Sequence, residues 1–228
     1  MSLLDSPALA YVQTDNPWFS WQFVQQNRDT LLGALRQHAW LTVEAILIAT
    51  AIAIPLAVLA YWYRPLTGPI LAFSGVLYTI PSLALFALLA PFVDSRTTVL
   101  IGLVLYALLV LVRNMLAGLA QVPEHVRDAA RGMGYGRFAQ LWRIELPLAL
   151  PGILTGLRLA TVSTVALVTV GVLTGYGGLG ELIFAGFHAT YRAEIATSTL
   201  LCVFLALVLD LALAFTGRVL TPWTRRAG

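Results

Sequence analysis

The chain has 228 residues, 59% hydrophobic and only 11% charged, with a mean hydropathy of +0.82; a soluble domain carries roughly a quarter charged residues, so most of this surface is not built for water. Its 14 basic residues are all arginine and face 11 acids, for a net charge of +3. Without a lysine the chain cannot be a P-loop NTPase, a Schiff-base aldolase or a pyridoxal-phosphate enzyme, and its one cysteine, Cys202, excludes an intrachain disulfide and a cysteine metal cluster.

The segment 1–40 contains Asp5, Asp15, Arg28 and Asp29 and lacks the pattern of a signal peptide. Trp18, Trp21, Val24, Leu31, Leu32 and Leu35 recur at helical spacing among polar residues, which predicts an interfacial helix on the membrane surface. From residue 41 onward, five stretches approach the roughly 20 apolar residues needed to cross a hydrocarbon core about 30 Å thick. The first, 41–63, is interrupted only by Glu44, near its outer end and within reach of the interface. The second, 69–93, has no charge. Pro81 removes a backbone hydrogen bond in mid-span and frees a carbonyl beside Tyr78, Thr79 and Ser82. That is either an ordinary proline kink or the lining of a polar path, and the polar neighbours favour the path. The third, 97–112, ends at Arg113-Asn114.

The longest connection, 116–147, has internal order. Pro123-Glu124 suits a first helical turn; Val126, Ala129, Ala130 and Met133 form an apolar stripe, with Arg127, Asp128 and Arg131 opposite. Gly132, Gly134 and Gly136 end this helix. A second short helix, 137–144, presents Phe138, Leu141 and Trp142 before Pro147 breaks into the fourth span, 148–173. That span contains Arg158 and two small-residue spacings, Gly152/Gly156 and Gly171/Gly175, that allow close helix packing. Gly175-Tyr176-Gly177-Gly178-Leu179-Gly180 spells the dinucleotide fingerprint, but it follows an apolar span where a strand is required, so we reject that reading. The glycines instead mark a broken or re-entrant element continuing through Glu181. The fifth span, 195–216, holds Asp210. A buried charge is costly, so Arg158 and Asp210 either pair or Arg158 snorkels to the interface. His38, His125 and His188 are scattered, and no metal site is expected.

Cytoplasmic loops retain positive charge. With the loop 116–147 inside, Arg64, Arg113, Arg127, Arg131, Arg137, Arg143, Arg218, Arg225 and Arg226 fall on the cytoplasmic side and only Arg28, Arg36, Arg96 and Arg192 outside. The expected topology is an outside N-terminus and a cytoplasmic C-terminus.

Asp128-Ala129-Ala130, three residues, Gly134, nine residues, then Ile144-Glu145-Leu146-Pro147 resembles the EAA motif of ABC importer permeases, with Asp128 standing for the family's Glu. Thr79-Ile80-Pro81-Ser82-Leu83-Ala84-Leu85 is similar to a segment of the osmoprotectant branch, which imports glycine betaine, choline and carnitine. Leu111-Val112-Arg113-Asn114, Ala129-Ala130-Arg131-Gly132-Met133-Gly134 and Gly177-Gly178-Leu179-Gly180-Glu181 are similar to the same branch.

The resemblance implies an all-α membrane permease domain over 41–228, with about five transmembrane helices, an N-terminal interfacial helix and a cytoplasmic coupling helix. Asp128, Ala129, Ala130, Arg131, Gly134, Ile144, Leu146 and Pro147 would couple the chain to two separate ATPase subunits. Those subunits would use ATP and Mg, and this transport subunit, itself no enzyme, would bind no cofactor. Tyr78, Thr79, Pro81, Ser82 and Asn114 would line the translocation path, and Gly177, Gly178, Gly180 and Glu181 an external gate. Five spans enclose too little volume for a complete pore, so a second permease chain, identical or related, is expected. An external substrate-binding protein and membrane lipid complete the set, with no nucleic acid, in a bacterial cytoplasmic membrane. The alternatives are an ABC permease for methionine or another amino acid and, from a different class, an ion-coupled secondary transporter, which should show an inverted repeat and embedded acids at a broken helix.

Overall fold

A computed structural model describes residues 16–223; Asp5, Asp15, Arg225 and Arg226 lie outside the described residues. Helix α1 (Trp21–Gln26) is capped by Ser20 Oγ, which accepts from the Phe23 amide at 3.2 Å. It stops at Asn27, whose backbone and side-chain N–H groups both donate to the Phe23 carbonyl at 3.0 Å. Such local side-chain bonding competes with helix continuation. The amphipathic stretch expected as one interfacial helix is therefore divided. Leu31, Leu32 and Leu35 belong to the first turns of α2 (Arg28–Trp62), while Phe23 and Leu31 pack with Ala193. The 35 residues of α2 extend about 52 Å at 1.5 Å per residue, longer than the roughly 30 Å hydrocarbon core. Its buried side carries Ala45, Ala49, Ala53 and Ala57 at four-residue intervals, each at most 2% exposed. Small residues in one row let backbones approach where apolar burial gives no drive in lipid.

The second span is two helices, α3 (Arg64–Thr79) and α4 (Ser82–Leu89), bent by 90° at Ile80-Pro81. Phe86 of α4 fills the space over Gly102 of α5 (Ser95–Ala120), where an added Cβ would lie 2.3 Å from its ring. α5 is the central helix and contributes Val99, Leu103, Leu111 and Val112, all fully buried. Asp94 caps it. One carboxylate oxygen accepts from Thr97 Oγ1 at 2.7 Å and the other from the Thr97 amide at 3.1 Å; these bonds hold the Asp94 carboxyl below its ordinary pKa.

The loop after α5 forms α6 (Glu124–Gly132) and then α7 (Arg137–Gln140). α7 does not end in a break at Pro147, as the sequence suggested. A π-helical turn (Leu141–Glu145) joins it to α8 (Leu146–Val170), making one rod over Arg137–Thr174. The Leu146 amide bonds the Leu141 carbonyl, five residues back. This wider turn leaves room for a proline ring that would otherwise press on the preceding turn. α5 and α8 cross in near backbone contact, since a Cβ on Gly152 would lie 2.9 Å from Gly118 Cα. A 3₁₀ turn (Gly171–Thr174), the short α9 (Leu179–His188) and α10 (Arg192–Leu220) complete the chain. α10 is peripheral: Leu200, Val203, Phe204, Leu207, Leu211 and Phe215 are each more than half exposed. Among the described residues four helices are long and apolar enough to cross a membrane, and the bent pair passes the same test only when its two helices are taken together, for up to five spans. No strand occurs among the described residues.

Candidate functional site

The expected coupling residues occupy one end of the bundle. Pro123 starts α6 in extended conformation, and Gly134 ends it at φ +81°. The Tyr135 amide bonds the Ala130 carbonyl at 3.1 Å and the Gly134 amide bonds the Arg131 carbonyl at 3.0 Å. These two bonds make a Schellman cap, which needs a residue at positive φ, so the glycine of the motif has a backbone reason. Ala130 is fully buried beneath the helix, while Ala129 and Met133 are exposed. Asp128 and Arg131 pair on the outer surface. Met133, Phe138 and Trp142 are 68%, 65% and 47% exposed, placing apolar side chains among the charges on the outer surface of this end.

Arg127, assigned from periodicity to the solvent face with Asp128, instead turns into the bundle. Its Nη2 donates to the Leu119 carbonyl at the end of α5 at 2.8 Å, and its guanidinium lies 5.6 Å from the Tyr61 ring at the end of α2. Its Nε is 3.7 Å from Glu145 Oε1 in the π turn. Glu145 is 3% exposed and also accepts from Gln140 Nε2 at 2.8 Å. The pull is physical: the Leu119 carbonyl at the helix end is met by the Val122 amide only at 3.3 Å and has a second lone pair for a donor, and a buried carboxylate requires a nearby cation. One side chain thus ties α6 to α2, to α5 and to the π turn that leads into α8. Glu145 fills the variable place of the motif, so spacing alone gave no hint of it. Ile144, Leu146 and Pro147 are half-buried on the same rod. An open cleft of about 700 Å³ lies beside α6, lined by Tyr61, Arg64, Thr67, Arg127, Arg137 and Glu145 among others.

At the broken second span, Tyr78, Thr79 and Pro81 are exposed together and Ser82 is half-buried. The Thr79 hydroxyl donates to the Val76 carbonyl at 2.7 Å. The Ile80 carbonyl at the break is capped by the hydroxyl of Tyr106 on α5, whose ring meets Tyr78 edge-on at 5.7 Å. Tyr106 lay unremarked in an apolar run, and only the bend brings it to the site. Asn114 does not join this group. Its Nδ2 donates to the Val110 carbonyl at 2.8 Å, and its side chain packs on Gly156 at the α5–α8 crossing.

The glycine-rich segment is a packing device at the opposite end. Gly178, at φ +55°, sits against the backbone of His38. Gly177 and Gly180 abut the backbones of Val172 and Thr169. Glu181 Oε1 accepts from the Gly177 amide at 2.9 Å and from Gln37 Nε2 at 3.4 Å, fastening the segment to α2. His38 is fully buried, with Nε2 3.0 Å from the Val165 carbonyl. A helix precedes this segment, so the dinucleotide reading lacks its strand. Glu44 bonds Arg96 Nη2 at 2.5 Å. Arg158 Nε and Nη2 bond the two oxygens of Asp210 at 2.7 and 2.6 Å. No group of three or more potential metal ligands occurs among the described residues.

A family described as the binding-protein-dependent transport system inner membrane component matches residues 40–226. OpuCD of Bacillus subtilis, a glycine betaine/carnitine/choline transport system permease protein, is 33% identical over 208 residues, covering 90% of this chain and 91% of that protein. OsmW of Salmonella typhimurium, an osmoprotectant import permease protein, is 35% identical over 207 residues, covering 88% and 96%. Among solved structures, the inward-facing MetNI methionine ABC transporter aligns with a TM-score of 0.75 at 23% identity, over 84% of this chain and 96% of that one. An amino acid ABC transporter aligns at 0.70 and 18%, over 91% and 98%.

Proposed function

Because the chain belongs to the family of inner-membrane components of binding-protein-dependent transport systems, we propose that it is the permease subunit of an ATP-driven importer of osmoprotectants: glycine betaine, choline, carnitine or related quaternary amines. The observation that carries this reading is identity of 33–35% to OpuCD and OsmW across nearly the whole of both chains. The amino-acid alternative has structural neighbours, but at 18–23% identity these speak for the fold alone.

In this reading α6 is the coupling helix. Two ATPase subunits, handling ATP and Mg²⁺, dock at the surface around Asp128, Ala129, Arg131 and Gly134 in the cytoplasm. Their closure moves α6, and the Arg127–Glu145 contact passes that motion to α2, α5 and α8. A second permease chain completes the path, to which the break at Tyr78, Thr79, Pro81 and Ser82 contributes. A binding protein delivers substrate outside, near Gly177, Gly178, Gly180 and Glu181. The N-terminus lies outside and the C-terminus in the cytoplasm of a bacterial inner membrane.

The test is reconstitution with the ATPase and binding protein in liposomes. ATP should drive uptake of radiolabelled glycine betaine, choline or carnitine, unaffected by collapse of ion gradients. Uptake that survives loss of the ATPase but collapses with the gradient overturns the reading. Orientation is checked by Met133→Cys in a Cys202→Ser background, because Met133 is exposed at the tip of the loop. The thiol should react only after the membrane is opened.

A further inference from the structure

The path reading leaves one charge unexplained. Arg113, on the central helix α5, is exposed and has no acidic partner among the described residues. Counted from the sequence with the arginines on the cytoplasmic side, it instead extends along α3, away from the near end of the bundle. A Cβ on Gly75 of α3 would lie 4.0 Å from Arg113 Nη2. Gly75 stands eleven residues past the start of α3 at Arg64, about 16 Å along the helix axis. A permanent cation at that depth cannot face hydrocarbon and requires water or an anion.

The same two helices place aromatic rings beside it. Tyr106 and Arg113 are seven residues apart on α5, two turns along one face. Tyr78 follows Gly75 by three residues on α3, about 4.5 Å higher. Tyr78 is 47% exposed, its ring meets Tyr106, and the Tyr106 hydroxyl is held by the Ile80 carbonyl at the 90° break. An aromatic ring attracts a quaternary ammonium through its negative face, and a guanidinium takes a carboxylate through paired N–H bonds. Tyr78 stands about one helical turn beyond Gly75, the position Arg113 Nη2 approaches, which is the scale of a small zwitterion.

We infer that Tyr78 and Arg113 form a substrate subsite inside the membrane, with the exposed Tyr78 ring taking the quaternary ammonium, the buried Tyr106 holding that ring in place, and the Arg113 guanidinium taking the carboxylate. The subsite rests on the osmoprotectant reading and deepens it. It discriminates between substrates, since glycine betaine and carnitine carry a carboxylate and choline does not. The binding protein is a separate chain, so a permease substitution that changes the preference reports the permease's own contacts.

The experiment compares initial uptake of glycine betaine and choline by the complete importer in liposomes, with wild type, Arg113→Gln, Arg113→Lys and Tyr78→Ala. Loss of a charge-assisted bond should lower glycine betaine uptake by Arg113→Gln about tenfold, leaving choline within about twofold, while Arg113→Lys restores much of the ratio. Tyr78→Ala should lower both substrates. Equal loss of both by Arg113→Gln, or no loss, overturns the subsite while the importer assignment stands. A wild-type complex that carries choline but not glycine betaine also overturns it. Wild type that carries none of glycine betaine, choline and carnitine overturns the functional reading and this inference together.

Discussion

Arg158 of α8 and Asp210 of α10 meet as fork and carboxylate, with parallel bonds of 2.7 and 2.6 Å. Both side chains keep some exposure, 41% and 24% in the single chain, so the pair sits at the rim of the α8–α10 contact. α10 buries little else in that neighbourhood, and a two-point bond specifies the rotation of the helix about its axis. Asp210→Asn should leave a guanidinium in the membrane without its counter-charge, at a cost on insertion scales of about 2.5–3.5 kcal/mol. Thermal unfolding of the purified protein should show Asp210→Asn and Arg158→Gln each destabilising. Their double mutant should fall short of additivity by roughly 0.5–3 kcal/mol. Strict additivity would remove the pair from the account of α10.

The outer surface of α6 gives a cleaner test of coupling than its cap. Ala129 is exposed, so Ala129→Arg should leave the fold and insertion intact while excluding a partner from close approach. The expected outcome is normal protein yield with loss of ATPase co-purification and of uptake. Gly134→Ala acts through the backbone instead, since φ +81° costs an L-residue about 1–2 kcal/mol. Normal ATP-driven uptake by Ala129→Arg would end the docking assignment.

Glu145 should behave as a transmission residue. Removing its carboxylate leaves Arg127 with only the Leu119 carbonyl and the Tyr61 ring, and breaking one side of a buried pair costs about 3–5 kcal/mol when burial is complete. Arg127 is 22% exposed, so a smaller loss is expected. Glu145→Ala should retain ATPase binding yet lower the uptake obtained per ATP hydrolysed, measured in the same vesicles. An unchanged transport-to-hydrolysis ratio would assign the contact to stability alone.

Tyr106→Phe removes one oxygen and leaves the Ile80 carbonyl at the break without its donor. An unsatisfied buried acceptor costs about 1–3 kcal/mol. The variant should unfold at lower temperature, and uptake should slow as the bend loosens. A melting temperature equal to wild type would show that water replaces the hydroxyl there.

The sequence made the apolar spans legible because hydropathy is a property of composition along a line. It also located the helix α6, since Pro123-Glu124 starts it and Gly134 ends it. What it hid was set by three-dimensional convergence. Arg127 looked solvent-facing by periodicity, and only the carbonyl of Leu119 and the carboxylate of Glu145 draw it inward. Tyr106 gave no signal until the chain turned at Pro81. Asn114, given to the path by the family resemblance, packs on Gly156 at the α5–α8 crossing. The break expected at Pro147 vanished because a five-residue π turn absorbs the ring.

In the proposed coupling, the continuous rod from Arg137 to Thr174 acts as a lever. Its fulcrum is the near-contact of Gly152 with Gly118, which divides the rod into arms of about 22 Å toward α7 and about 33 Å toward the glycine-rich end. Displacement at the short arm is magnified about one and a half times at the long one, so an ångström-scale push at α7 needs no large rearrangement to be felt at the far face.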